Sequence, residues 1–261
     1  MNLLYILKPI VILLQKIEKL SSLGVRLTKL TGKSRFNIHP KNLIKTRKKF
    51  WFDKYILKNG NLLDIGCGVG SKSIHCSKKL DKVYGFDFNE KHIEICKSLA
   101  TKNKVKNVSF FVWNAEKRLP FEDGFFSTIL NLNVLEHINN RNNLLEESYR
   151  LLKEGGLLIL TLPNKNTFWK KIQKRLDLFY YSDSDHKIEY SKQEIISILK
   201  NHNFEIKNIS LVTYDSPFKG IIDIIGGISI KIYQFLSDWR NNVVRKYPND
   251  SIGFKIIAKK K

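Results

Sequence analysis

Acidic residues are scarce in this chain: 24 Asp and Glu stand against 46 Lys and Arg over 261 residues, a formal charge of +22. Cysteine is scarcer still. Cys67, Cys76 and Cys96 are odd in number, form no CxxC pair and have no histidine at ligand spacing, which excludes a disulfide scaffold and a structural zinc site and fits a reducing compartment. No unbroken apolar run approaches the roughly 20 residues of a spanning helix. The opening run from Leu3 to Leu14 is broken by Lys8 and Pro9 and followed by Gln15, Lys16, Glu18 and Lys19. It also lacks a basic segment ahead of it and a small-residue cleavage site behind it, so no secretory signal is expected. Internal repeats and low-complexity linkers are missing too. What is present, 43% apolar residues and 11% aromatic, is a foldable composition that suits one large domain with appendages.

The positive charge is unevenly placed. The first 60 residues hold fourteen Lys and Arg and only two acids, Glu18 and Asp53. A cationic region of this sort attracts polyanions, with nucleic acid and an anionic lipid surface as the two usual candidates, while the plain alternative is a basic solvated surface. Within it, Ile10, Leu13, Leu14, Ile17 and Leu20 recur at helical spacing with Lys16 and Lys19 turned away. The spacing predicts an amphipathic helix that either docks on its own domain, the preferred reading, or lies in a membrane interface.

From position 61 short apolar runs alternate with helical patterns. Strands are expected at 61–65, 82–86, 108–112, 128–132, 157–162, 204–212 and 253–258, and helices at 71–80, 89–101, 142–152 and 191–201. Such alternation predicts an α/β, Rossmann-like fold: a mostly parallel sheet with crossover helices on both faces. The expected organisation is a basic, partly helical N-terminal extension over 1–59 and a domain over 60–261, the latter elaborated by an apolar insertion at about 214–250.

The segment Leu62-Leu63-Asp64-Ile65-Gly66-Cys67-Gly68-Val69-Gly70 is a strand emptying into a turn with glycine at every second position. Glycines there let a ligand approach the backbone at the carboxyl end of a strand. The spacing is G-x-G-x-G, unlike a nicotinamide fingerprint, and Asp64 inside the strand would oppose a pyrophosphate but suits a ligand with a positive end. Seventeen residues after Gly70, Asp87 closes the second strand, where a carboxylate can take both hydroxyls of a ribose. Phe88 beside it offers a flat apolar surface for a purine.

With these residues in place, the sequence resembles the class I S-adenosylmethionine-dependent methyltransferases, in particular the type 11 branch that includes ubiquinone and menaquinone biosynthesis enzymes. The glycine turn, the Tyr84-Gly85-Phe86-Asp87 strand end, the Trp113–Gly124 segment, Val134-Leu135-Glu136-His137-Ile138 and Leu151–Gly156 follow one another in that family's order. The resemblance implies the family's seven-stranded sheet with the last strand antiparallel, and S-adenosyl-L-methionine as cofactor. Carried over by position, it implies that Asp64 and the turn of Gly66, Cys67, Gly68 and Gly70 hold the methionine portion and Asp87 the ribose. Asn114 and Ala115 would meet the adenine edge, and the backbone at Asn131 the amino-acid end. The sequence departs from the pattern at Asn114 and Ser127, where Asp is usual, and at Glu154, where Pro is usual; the Ser127 change puts a supporting contact in question.

A methyl group on a sulfonium is already activated, so alignment of a nucleophile supplies much of the catalysis, roughly 7–11 kcal/mol. A hydroxyl acceptor would also use a general base. Two histidines are candidates: His137, beyond the fourth strand, and His186, in the polar run Asp183–Tyr190 where substrate loops enter. Asp183, Asp185, His186 and Glu189 can also be read as metal ligands. Methyl transfer from a sulfonium needs no metal, and none is expected.

Two further segments look tuned to a substrate: 31–41, whose Gly32-Lys33-Ser34 lacks the first glycine and preceding strand of a phosphate loop, and the apolar insertion, expected to act as a lid. The expected partner is a small-molecule, glycan or lipid-linked acceptor, methylated on oxygen. Nucleic acid is the less favoured partner: the position after the fourth strand reads Asn131-Leu132-Asn133-Val134 rather than an Asn/Asp-Pro-Pro-aromatic motif, and all three cysteines precede it. A ribose methyltransferase on RNA and a non-catalytic cofactor-binding scaffold remain the alternatives. The expected setting is cytoplasmic, with the two apolar segments as candidates for peripheral contact with the inner membrane face; the sequence does not specify an oligomeric state.

Overall fold

The computed structural model describes residues 6–35, 37, 39–43 and 50–261. The chain forms two compact units. One comprises Trp51–Pro163, Ser182–Ser210 and Phe254–Lys261, and the other Met1–Phe50, Asn164–Tyr181 and Leu211–Gly253. The N-terminal segment and the insertion, set apart from each other by the sequence reading, are thus parts of the same unit.

The first unit is built on a seven-stranded sheet. Its strands are β1 (Asn61–Ile65), β2 (Lys82–Asp87), β3 (Val108–Val112), β4 (Phe126–Leu132), β5 (Leu152–Pro163), β6 (Phe204–Leu211) and β7 (Gly253–Lys260). They lie in the order β3-β2-β1-β4-β5-β7-β6. β1 pairs in parallel with β2 and with β4, β2 with β3 and β4 with β5. β7, slotted between β5 and β6, is the antiparallel member, and the antiparallel bridge Tyr214↔Ser251 extends its pairing with β6 beyond the strand ends. Leu62, Leu63 and Ile65 on β1, Ile129 and Leu130 on β4 and Leu158–Leu160 on β5 are all 0% exposed. Strands covered on both faces need such continuous apolar runs, each side chain contributing about 1.5–3 kcal/mol on burial.

Because the chain moves outward from β1 to β3 and then returns to β4, the carboxyl ends of β1 and β4 flank the point where strand order reverses, which leaves a crevice for a ligand. The register there places Ile65 opposite both Phe86 and Asn131.

The helices of this unit are α3 (Ser71–Cys76), α4 (Glu90–Lys102), α5 (Arg141–Leu151) and α7 (Lys192–Asn201). α4 begins at Asn89, whose side chain accepts from the amides of Lys91 and His92, and α7 begins with a capping box between Ser191 and Glu194. α3 is shorter than the 71–80 expected. The Asn107 side-chain amide donates to the carbonyls of Ser77 at 2.8 Å and Leu80 at 3.0 Å, so those acceptors are satisfied without further helix.

A second feature invisible in the sequence is the anchoring of the 118–123 loop by Arg150. Its guanidinium donates to the carbonyls of Leu119 and Phe121 and to the carboxylates of Glu147 and Asp123, while Glu147 accepts from the Leu119 amide at 2.9 Å. The paired guanidinium holds the Glu147 carboxyl below its ordinary range. Ser127, the departure from the family pattern, donates to the carbonyl of Asn61 at 3.0 Å and so ties β4 to the start of β1.

The second unit is helical: α1 (Lys8–Glu18), α2 (Ser21–Leu30), α6 (Phe168–Arg175), α8 (Lys219–Ile228) and α9 (Ile230–Lys246). α8 packs against α1, α2 and α9. Close approach is allowed by glycine: a Cβ at Gly24 would strike the carbonyl of Asp223, and one at Gly220 the carbonyl of Ile17. Polar groups are paired inside: Lys219 bridges Glu18 and Asp215, Thr167 donates to Asp215 at 2.7 Å, and Asp223 is held by Ser21 and His39. Of the segment 31–41, Phe36 and Ile38 lie outside the described residues, and His39 is the residue that reaches Asp223 at 3.3 Å.

The N-terminal amphipathic helix forms, but with a different buried face. Val11, 6% exposed, and Leu14 pack against Trp169 and Leu176, whereas Ile10 and Leu13 are 55% and 57% exposed. Sequence periodicity identified the apolar residues without revealing which stripe would meet α6.

Candidate active site

The glycine turn forms at the end of β1 because three residues there take the left-handed backbone that glycine tolerates: Gly66 (φ 60°), Gly68 (φ 54°) and Gly70 (φ 74°). They differ in what surrounds them. A Cβ at Gly66 would come within 2.6 Å of Val134, so this glycine lets the β1 turn pack against the segment after β4. A Cβ at Gly68 would meet nothing within 4 Å, leaving open space in front of the turn.

Both carboxylates expected at this site are beside it. Asp64 is 2% exposed and accepts from the Ser73 hydroxyl at 2.6 Å. Burial pushes its pKa up, opposed in part by Lys72. Asp87 is 6% exposed; its Oδ2 accepts from the Gly68 amide at 2.9 Å and its Oδ1 from the Asn89 amide at 2.9 Å, which ties the end of β2 to the glycine turn. Phe88 is 82% exposed. The Cys67 and Cys96 thiols both face the Gly68 carbonyl, at 3.8 and 3.1 Å.

Further along the sheet edge, Ala115 is buried while Asn114 is exposed, its side-chain carbonyl accepting from the Glu116 amide at 2.8 Å. Asn131 at the end of β4 is fully buried. Its Oδ1 accepts from the Leu135 amide at 3.2 Å, and its Nδ2 is a buried donor with no protein partner among the described residues.

The two histidines singled out from the sequence come together. Their rings meet edge to face with centroids 4.7 Å apart, although 49 positions separate them. His137 closes a short 3-10 turn after β4, and the 183–190 loop is drawn to it because the Glu136 carbonyl accepts from the amides of Lys187 and Ile188. His186 Nδ1 lies 2.9 Å from Glu189, a fully buried carboxylate that also accepts from the Ser182 amide. Against an ionised Glu189, which only accepts, Nδ1 is the nitrogen that donates, which leaves Nε2 as the one able to accept.

Sequence reasoning missed two acids of this cluster. Glu189 appeared there only as a conceivable metal ligand, and Glu136 only as part of a family motif. Glu136 is 1% exposed, its Oε2 is buried without a protein partner among the described residues, and desolvation raises its pKa to about 7. Ligand-type atoms of Glu136, His137 and His186 lie within 4.8 Å of one another, a spacing at which one cation could touch all three. Asp183 and Asp185, exposed in a tight turn, are not in this group.

Comparison with known proteins bears on the family and the fold. A family model described as a methyltransferase domain matches residues 56–209. The ubiquinone biosynthesis O-methyltransferase of Pelagibacter ubique is 30% identical over 215 residues, covering 77% of this chain and 88% of the relative. A ubiquinone/menaquinone biosynthesis C-methyltransferase, UbiE of Pectobacterium carotovorum, is 26% identical, covering 68% of this chain and 70% of its own length. Among solved structures, a SAM-dependent methyltransferase of Methanosarcina mazei superposes with a TM-score of 0.56 at 23% identity, covering 79% of this chain and 95% of that one, and so shares the fold. This chain belongs to the methyltransferase-domain family. More specifically, it is an S-adenosylmethionine-dependent methyltransferase. Among the described residues no helix is long and apolar enough to cross a membrane.

Proposed function

We propose that this enzyme methylates a hydroxyl oxygen of a small-molecule, glycan or lipid-linked acceptor, with His186 as the general base. The observation that carries this reading is the His186–Glu189 pair at 2.9 Å, set beside Glu136 and His137 just after β4. The cofactor, when bound, supplies a methyl group already activated by its sulfonium.

The residues fit such a ligand. The space in front of Gly68 admits a close backbone approach, and Asp64, a buried carboxylate raised by desolvation, gains from a cationic amine brought against it. Asp87 has acceptor capacity for ribose hydroxyls beyond its two amide partners, Phe88 offers a stacking face, and Ala115, Asn114 and the Asn131 backbone complete the expected contacts. For the acceptor, Glu189 fixes the His186 tautomer so that Nε2 can take the hydroxyl proton as the oxygen attacks. His137, in edge contact with His186, restricts its orientation. The Pelagibacter relative, named as an O-methyltransferase, supports oxygen as the acceptor atom.

Calorimetric titration with S-adenosylmethionine and S-adenosylhomocysteine, repeated on Asp87→Ala, tests the cofactor site. Micromolar binding lost in the variant is expected; no binding to the native chain would favour a non-catalytic scaffold. Product analysis over phenolic, glycan and lipid-linked acceptors, with RNA as control, then tests the acceptor class. A chelator arm separates the two ways of using the Glu136 cluster: turnover unaffected by EDTA fits a proton-transferring cluster, and turnover lost and restored by a divalent cation fits a metal-assisted one.

A further inference from the structure

The helical unit inverts the usual distribution of apolar side chains. Of the 42 buried apolar residues among those described it contains six, but of the 21 large apolar residues left exposed it contains sixteen. Isolated exposed leucines are ordinary, whereas an accumulation of this kind marks an interaction surface.

The exposed residues are ordered. On α9, Ile232, Phe235 and Trp239 follow at i, i+3 and i+7 and are 53%, 71% and 49% exposed, so one face of that helix is an uncovered stripe. At the other end of the unit's sequence, Ile6, just ahead of α1, and Ile10 and Leu13 on it follow at i, i+4 and i+7 and are 54%, 55% and 57% exposed. Exposed lysines and arginines flank both stripes in sequence, Lys16 and Lys19 at the first and Lys231, Arg245 and Lys246 at the second, where Asp238 is the exposed acid of α9. The unit as a whole carries 22 Lys and Arg against six Asp and Glu, sixteen of the chain's surplus of 22.

We propose that the α1 and α9 stripes dock this enzyme on an anionic lipid bilayer, with their apolar side chains in the interface and the flanking cations at the headgroups. A helix face with bulky apolar residues bordered by Lys and Arg is what an interfacial anchor needs. Each cation close to an anionic leaflet adds attraction that fades within a Debye length. The charge also discriminates among occupants. A second copy of the same cationic face would repel the first, and an RNA track has no use for the aliphatic Ile6, Ile10, Leu13 and Ile232. The mode is peripheral, since no described helix can span. The inference does not rest on the acceptor proposed above.

The test is flotation of the full-length enzyme with phosphatidylcholine vesicles, with and without about 30% phosphatidylglycerol, from about 0.1 M to about 0.5 M salt. Expected is binding to the anionic vesicles, weakened about tenfold or more by high salt and by the pair Phe235→Ser and Trp239→Ser, with thermal unfolding unchanged. The charge pair Lys231→Glu and Lys246→Glu, which leaves the stripe intact, should weaken binding in the same direction. Failure of the native protein to float with anionic vesicles would overturn the proposal, as would native-like flotation of both variant pairs. A dimer in light scattering that the serine pair dissolves, without flotation, would assign the face to a second copy. Salt-sensitive RNA binding without flotation would assign it to a nucleic acid.

Discussion

The sheet unit and the helical unit solve the burial problem in opposite ways. Among the described residues the former holds 36 of the 42 buried apolar side chains and the latter six, while by sequence the former carries a charge surplus of six and the latter one of sixteen. In the first, apolar runs on neighbouring parallel strands cover one another, and Asp64 and Asp87 sit where β1 and β2 end. In the second, glycines bring four helices close while polar pairs such as Lys219 with Glu18 occupy the interior, leaving much apolar surface outside. The contrast separates a tightly covered sheet, which carries the candidate site, from a cationic helical unit whose large apolar side chains stay exposed.

Substitutions can sharpen or break that division. The largest effect is expected from His186→Ala, which should lower kcat about 10²–10⁴-fold while leaving cofactor affinity unchanged; a comparable loss of cofactor binding would mean the histidine only supports the fold. Next comes Glu136. Its carboxyl holds a proton to about pH 7 in the fold against 4.5 ordinarily, so it favours the folded state at low pH and that stability is lost as pH rises from 4.5 to about 7, by about 3 kcal/mol. Glu136→Gln should flatten this slope in urea titrations at several pH values, and an unchanged slope would reject the assignment.

Arg150→Met leaves Glu147 unpaired beneath the 118–123 loop and should cost about 3 kcal/mol of stability, read as a lowered urea midpoint. Hydrogen exchange probes the comparison directly: amides of β1, β4 and β5 should be the slowest in the chain and those of α1 and α8 should open earlier, since fewer buried apolar contacts protect them. Equal protection in the two units would break the contrast. Smallest of all, Phe235→Ser should move the unfolding midpoint by no more than about 0.5 kcal/mol equivalent, because the ring is 71% exposed.

Legibility in the sequence followed the range of the interactions. The strand at 61–65, the glycine turn, Asp64 and Asp87 could be read because each depends on neighbours a few residues away: apolar runs, left-handed backbone, a carboxylate closing a strand. α3 ends four residues short of the expected bound, and the carbonyls of Ser77 and Leu80 beyond it are taken by the side chain of Asn107, thirty residues from Ser77. The stripe of α1 that is buried was decided by Trp169 and Leu176, which no local pattern could announce. His137 and His186 were each recognisable as candidates, but their edge contact was not, nor was the Glu189 carboxylate behind His186.

The sequence by itself determined the alternation of strand and helix, the glycine turn after β1 and the excess of positive charge, because period, glycine and charge are properties of the chain. Only the tertiary structure decided that Glu136, His137, His186 and Glu189 share one cluster, that the N-terminal helices and the 211–253 segment form one unit, and that their apolar stripes stay uncovered. The physical reason is that burial, desolvation and exposure depend on which distant segments meet.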